Sequence, residues 1–77
     1  MAVTIARTLD LKGMKCPIPI VKTAQAMKPL ASGDLLEVLA TDPGSVKDFA
    51  AWSKATGNEI VETGQDAGIF RFVMRKR

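Results

Sequence analysis

Gly13-Met14-Lys15-Cys16-Pro17-Ile18-Pro19-Ile20 carries the chain from a loop into a helix within eight residues. Gly13 marks the loop. Pro17 suits a first helical position, where its missing N–H costs nothing. The pattern beyond it predicts a helix from Pro17 to Lys28. Ile20, Val21, Ala24 and Met27 form one apolar face, with Lys22, Gln25 and Lys28 turned away. Pro29 stops it, because the residue before a proline is pushed out of the α region.

Reading outward, the alternation over Thr4 to Leu9 predicts a strand, followed by a loop from Asp10 to Lys15. After a turn at residues 31–34, Leu35 to Thr41 reads as a second strand, with Leu36, Val38 and Ala40 on one side. Asp42 as N-cap and Pro43 in the first turn open a second helix. Its inner stripe is expected to be Val46, Phe49, Ala50 and Ser53, and Gly57 its stop. Trp52 is expected at the border of that stripe, in peripheral packing. Glu59 to Thr63 and Ile69 to Arg75 are two further strands joined by a hairpin loop over residues 64–68. In the last strand Phe70, Phe72 and Met74 alternate with Arg71, Val73 and Arg75, so helices should cover the sheet on one side only. The expected fold is a βαβαββ two-layer α/β sandwich, with residues 1–77 forming a single domain.

A chain of 77 residues buries only about 60% of the surface its unfolded form exposes. An enclosed active-site cavity is hard to fit beside a core, so chemistry is expected at the surface. The single cysteine excludes an internal disulfide, a CxxC pair and a cysteine-based zinc cluster. The absence of histidine removes the commonest general base and metal ligand, so no metal or cofactor is expected. A free thiol suits a reducing cytoplasm. The first seven residues lack the apolar core of a signal peptide, and no apolar run would span a bilayer. The net charge of +3 rests partly on Arg75-Lys76-Arg77, expected to be a frayed, solvated end. Without tyrosine and with one tryptophan, the chain lacks the basic-aromatic interleaving of a single-strand nucleic-acid binder.

Cys16 is the candidate reactive residue. A helix start favours a thiolate, as would Lys12 and Lys15, while Asp10 weakly opposes it. With Cys16 as N-cap, Pro17 is N1 and Pro19 is N3, and neither carries an N–H. The prolines and Gly13 thus form a stiff mount, leaving the N–H groups of Cys16 and Ile18 near the sulfur. A moderately lowered thiol pKa is expected, as suits exchange chemistry. A persulfide held there could be taken by a partner's thiolate without a general base. The rim a partner would touch comprises Met14, Lys15, Ile18 and Lys22.

Leu9-Asp10, Gly13 and Cys16-Pro17-x-Pro19 at the head of a helix resemble the TusA family of small sulfur carriers, also called SirA-like. The resemblance continues through Ala40-Thr41-Asp42-Pro43-Gly44-Ser45 and Thr56-Gly57-Asn58-Glu59 to Phe70-Arg71-Phe72. It implies a mixed sheet in the order 1-2-4-3. It also implies a sulfurtransferase role in which Cys16 accepts sulfane sulfur as a persulfide from a cysteine desulfurase or rhodanese-type donor. Handover would be to a downstream acceptor protein, serving tRNA 2-thiolation, molybdenum-cofactor maturation or sulfur oxidation. Asp42 carries over as a helix cap and partner contact. Several relatives have glutamate where this chain has Ile18, and some carry a second cysteine near Ser53. A monomer without direct nucleic-acid or membrane contact is expected. The competing reading is a regulatory or binding module in which Cys16 is a structural plug.

Overall fold

A computed structural model describes residues 5–15 and 17–77. The start of the expected first strand at Thr4, and Cys16 itself, lie outside the described residues. The elements in chain order are β1 (Ile5–Leu11), α1 (Ile18–Met27), β2 (Leu35–Ala40), α2 (Ser45–Thr56), β3 (Glu59–Asp66) and β4 (Ile69–Arg75). One four-stranded sheet runs in the order β1-β2-β4-β3. β1 is parallel to β2, and both other pairings are antiparallel. The two-layer βαβαββ architecture expected from the sequence is present.

The period-2 pattern sets the faces. Leu36, Val38 and Ala40 lie opposite Met74, Phe72 and Phe70 on the helix-covered face. Phe49 of α2 is fully buried there; its ring centroid lies 4.8 Å from that of Phe72, and the Trp52 ring stands edge-on to it at 6.4 Å. Trp52 is half-buried at the core's border, as expected. The other face carries a polar ladder. Thr8 donates to Glu37, Arg71 donates to both Glu37 and Glu62, and Arg75 pairs with Glu59. Val73 lies between Glu37 and Glu62 in the register and is fully covered, although no helix lies over it. The stems of long charged side chains can cover apolar surface in this way.

Both helices are rotated relative to the expected stripes. α1 buries Pro19, Thr23, Ala26 and Met27, while Val21 is 49% exposed. α2 buries Ser45 and Phe49 and half-buries Trp52, Ser53 and Thr56; Val46 is 48% exposed and Ala50 is exposed. Each helix buries a hydroxyl residue, Thr23 in α1 and Ser45 in α2. Apolar periodicity alone pointed to the valines.

The hairpin turn is only Ala67-Gly68. β3 extends through Asp66, and the pair at the turn has φ of 50° and 80°. Two positive φ values are what a two-residue type I′ turn requires. The frayed tail also fails as an expectation. The Lys76 N–H donates to Asp34 O and its carbonyl accepts from Gly33, while Arg77 N–H donates to Asn58 Oδ1. Backbone partners hold the segment despite its charge.

Candidate functional site

β1 and β2 are parallel and adjacent, so the loops leaving their carboxyl ends lie side by side, each leading into a helix. Such an edge is where ligands meet α/β sheets. A hydrogen bond ties the loops together: Gly13 N–H donates to Thr41 Oγ1 at 2.9 Å. Gly13 has φ of 82°, a left-handed conformation that suits glycine. Thr41 was not singled out as a site residue; a hydroxyl directly after a strand was the only signal for it.

Between the loops is an open concavity of about 360 Å³, lined by Gly13, Met14, Lys15, Thr41, Asp42 and Pro43. Lys15 and Asp42, two of the expected site residues, thus share one hollow. Lys12 does not serve it in the expected way: its ammonium lies 3.7 Å from Asp10 Oδ2. Asp10 Oδ1 also accepts the Lys12 N–H, in a tight turn at the end of β1. Lys15 and Lys22 are exposed and form no ion pair among the described residues.

The helix opens one residue later than expected. Pro17 occupies the N-cap and Pro19 the second helical position, not the first and third. The Ile18 N–H is not free, because it donates to Lys15 O at 3.0 Å. That bond uses one of the two donors the prolines were expected to leave near the sulfur. Backbone donors for an anion at this helix start are scarcer than the sequence implied. Pro19 is buried against the core while Pro17 is exposed, so the second proline anchors the helix start and the first lies at the surface.

α2 opens at Gly44, not Asp42. Asp42 Oδ1 accepts the Gly44 N–H at 3.1 Å and Asp42 O accepts the Ser45 N–H at 2.9 Å. Asp42 therefore shapes the turn just before the helix, a local bond for which a short carboxylate is suited. Ile18 is 47% exposed and Met14 half-buried, both at this end of the molecule. Ser53 is apart from this loop pair; its hydroxyl donates to Asn58 O beyond the other end of α2.

No group of three or more possible metal-ligating side chains occurs among the described residues. No helix among them is long and apolar enough to cross a membrane.

Residues 7–76 match the family model described as sulfurtransferase TusA. The chain is 47% identical over 68 residues to the sulfur carrier protein TusA of Allochromatium vinosum, covering 88% of this chain and 90% of that one. It is 38% identical over 69 residues to the sulfur carrier protein TusA of Pseudomonas putida, covering 90% and 86%. The crystal structure of a SirA-like protein from Desulfitobacterium hafniense shares the fold, with a TM-score of 0.79 at 24% identity over 90% of this chain and 95% of that one. With Cys16-Pro17-x-Pro19 in its sequence and a family match spanning residues 7–76, the chain belongs to the TusA sulfurtransferase family.

Proposed function

We propose that the protein is a persulfide carrier whose reactive atom is Cys16 Sγ. The Cys16 thiolate attacks the outer sulfur of a donor persulfide. A bond forms to that sulfur, the donor's S–S bond breaks, and the electron pair leaves on the donor as a thiolate. Delivery repeats the step in reverse sense. An acceptor thiolate attacks the outer sulfur of the Cys16 persulfide, and Cys16 leaves as the thiolate. Neither step needs an external oxidant, reductant or general base, which agrees with a chain that has no histidine.

The observation that carries this reading is that the chain's one cysteine falls in sequence between Lys15 and Pro17, both exposed, and directly before α1. The partners are a cysteine desulfurase or rhodanese-type donor and a downstream acceptor protein. The pathway follows from the acceptor. Mass spectrometry after incubation with a desulfurase and cysteine, a rhodanese and thiosulfate, or inorganic polysulfide tests the reading. Wild type gains the mass of one sulfur atom, removable by dithiothreitol, and Cys16→Ser gains nothing. A wild-type chain that stays unmodified with all three donors refutes it. Rapid alkylation of native Cys16 is also expected; resistance until unfolding would favour the structural-plug reading instead.

A further inference from the structure

Residues 11–33 contain four lysines and not one acidic residue. All eight acidic residues lie outside this stretch, and Glu37, Glu59 and Glu62 pair with arginines on the uncovered sheet face. The charge is therefore segregated. The helix that follows Cys16 presents only cations, and the opposite face neutralises its own.

The outward stripe of α1 has a second property. Ile18, Val21, Lys22 and Gln25 recur at i, i+3, i+4 and i+7, so they share one face, and all four are exposed. The same helix buries Thr23, whose hydroxyl has no hydrogen-bond partner. An apolar β-branched side chain is thus turned to solvent while a hydroxyl is sealed in the core, the reverse of what folding alone favours. α2 repeats the inversion, with Val46 exposed and the unpartnered Ser45 hydroxyl buried. Among the described residues, three of the four large exposed apolar side chains, Ile18, Val21 and Val46, belong to the helix layer near the helix starts.

We infer that the outer stripe of α1 is a docking surface for a partner protein presenting an apolar centre rimmed by carboxylates. Ile18 and Val21 supply the apolar contact, and Lys15 and Lys22 the flanking positive charge. The inference rests on the carrier reading for its purpose, but the surface stands on charge and exposure alone. One surface has to serve donor and acceptor in turn. A standard interface takes about 800 Å² from each partner, against 4765 Å² for this whole chain. Any partner reaching Cys16 must cover Lys15 and Pro17 beside it, so two such footprints overlap. Donor and acceptor are then mutually exclusive, and both carry the acidic rim.

The test is an amide-shift titration by NMR of the unloaded protein with two short synthetic peptides. Each carries the same leucine pair; one is flanked by glutamates and the other by lysines. Neither contains a thiol, so the result does not depend on sulfur chemistry. The acidic peptide is expected to perturb residues 15, 18, 21, 22 and 25 and to bind about tenfold more tightly than the basic one at low ionic strength. That preference fades above ~0.15 M salt, where the screening length is about 8 Å. Lys15→Glu with Lys22→Glu abolishes the preference, and Ile18→Ser with Val21→Ser weakens acidic-peptide binding while leaving the charge effect. All four positions are exposed, and unchanged melting curves verify the variants. Equal affinity for the two peptides, no binding, or shifts confined to the uncovered sheet face would overturn the inference. Shifts in the same stripe that grow with protein concentration alone would assign the surface to a second copy and overturn it too. Failure of the carrier reading would show separately, as a Cys16 that never gains sulfur.

Discussion

Thr23 is fully buried in α1 with a hydroxyl that has no hydrogen-bond partner. A buried polar atom left unpaired costs on the order of 1–3 kcal/mol. Valine has nearly the same shape and no hydroxyl. Thr23→Val is therefore expected to raise stability by about 1 kcal/mol, read as a melting temperature higher by roughly 4–8 °C. A lower melting point would mean that the hydroxyl has a partner in solution. Ala67 offers a second residue-scale gain. It holds φ of 50° in the first position of the β3–β4 turn, where an L-residue with a Cβ is strained. Asparagine tolerates that conformation, and Asn-Gly is the favoured pair for a type I′ turn. Ala67→Asn should stabilise the fold by about 0.5–1 kcal/mol, and Ala67→Val should destabilise it. Equal denaturant midpoints for both variants would remove the strain argument. These two residues also mark where sequence reading stopped short. A threonine among apolar neighbours gives no signal that it faces inward, because the rotation of a helix is decided by what it packs on. A five-residue stretch rich in Gly and Asp reads as a long loop, whereas the strands pair to the last residue before an Ala-Gly turn.

Elements were more legible than residues. The alternation in the strands, the prolines at 17, 29 and 43 and Gly57 placed all six elements in order, since each is a local constraint on the backbone. What the sequence could not supply was the cross-strand chemistry of the uncovered face, where partners are distant in the chain. Glu37 of β2 accepts from Arg71 of β4 and Thr8 of β1, and Arg71 reaches on to Glu62 of β3. All four strands are thereby linked. The Arg71 hydrogen bond holds the Glu37 carboxyl below the usual carboxylate range, against partial burial that pushes it up; the Thr8 hydroxyl adds to the lowering. A folded-state pKa below the unfolded value means the stabilisation is complete above the unfolded pKa of about 4.3 and is lost as pH falls through the lowered value. Glu37→Gln is therefore expected to cost stability at pH 7 and to flatten the fall in melting temperature on acidification. At a pH below both values the variant and wild type should converge. The side chains of Arg71 and Glu37 are 35% and 19% exposed, so solvent screens the pair and the cost at pH 7 should be about 1 kcal/mol. Parallel melting curves for the two proteins from pH 7 to pH 2 would show that this link carries no pH-dependent stability.

At the scale of the molecule, two ties fix α1 at its ends. Near its start, Gly13 N–H and Thr41 Oγ1 join the loops that flank the proposed sulfur site. Beyond its far end, the Lys76 ammonium donates to Lys28 O, and the Lys76 backbone exchanges bonds with Asp34 and Gly33. Arg77 N–H donates to the side chain of Asn58, which is only 9% exposed, and the Arg77 side chain lies over Gly57, where a Cβ would meet its Cδ at 2.8 Å. The segment read as a solvated tail thus joins β2, α1 and the end of α2. Its positive charge concealed this, because backbone donors and acceptors have no compositional signature. Removing residues 76–77 eliminates four hydrogen bonds and leaves Asn58 Oδ1 unpaired. At about 1 kcal/mol net for each backbone bond, the expected loss is roughly 2–4 kcal/mol, a large share of the ~4–11 kcal/mol available to a chain of this size. Lys76→Ala keeps the backbone bonds and loses only an exposed contact, so it should shift the melting temperature little. That contrast separates a backbone clamp from a charge effect. If deletion and Lys76→Ala behave alike, the clamp is not structural. If the deletion alone lowers the melting temperature and also speeds amide exchange along α1 from its far end, the clamp holds the helix on which the proposed docking surface is built.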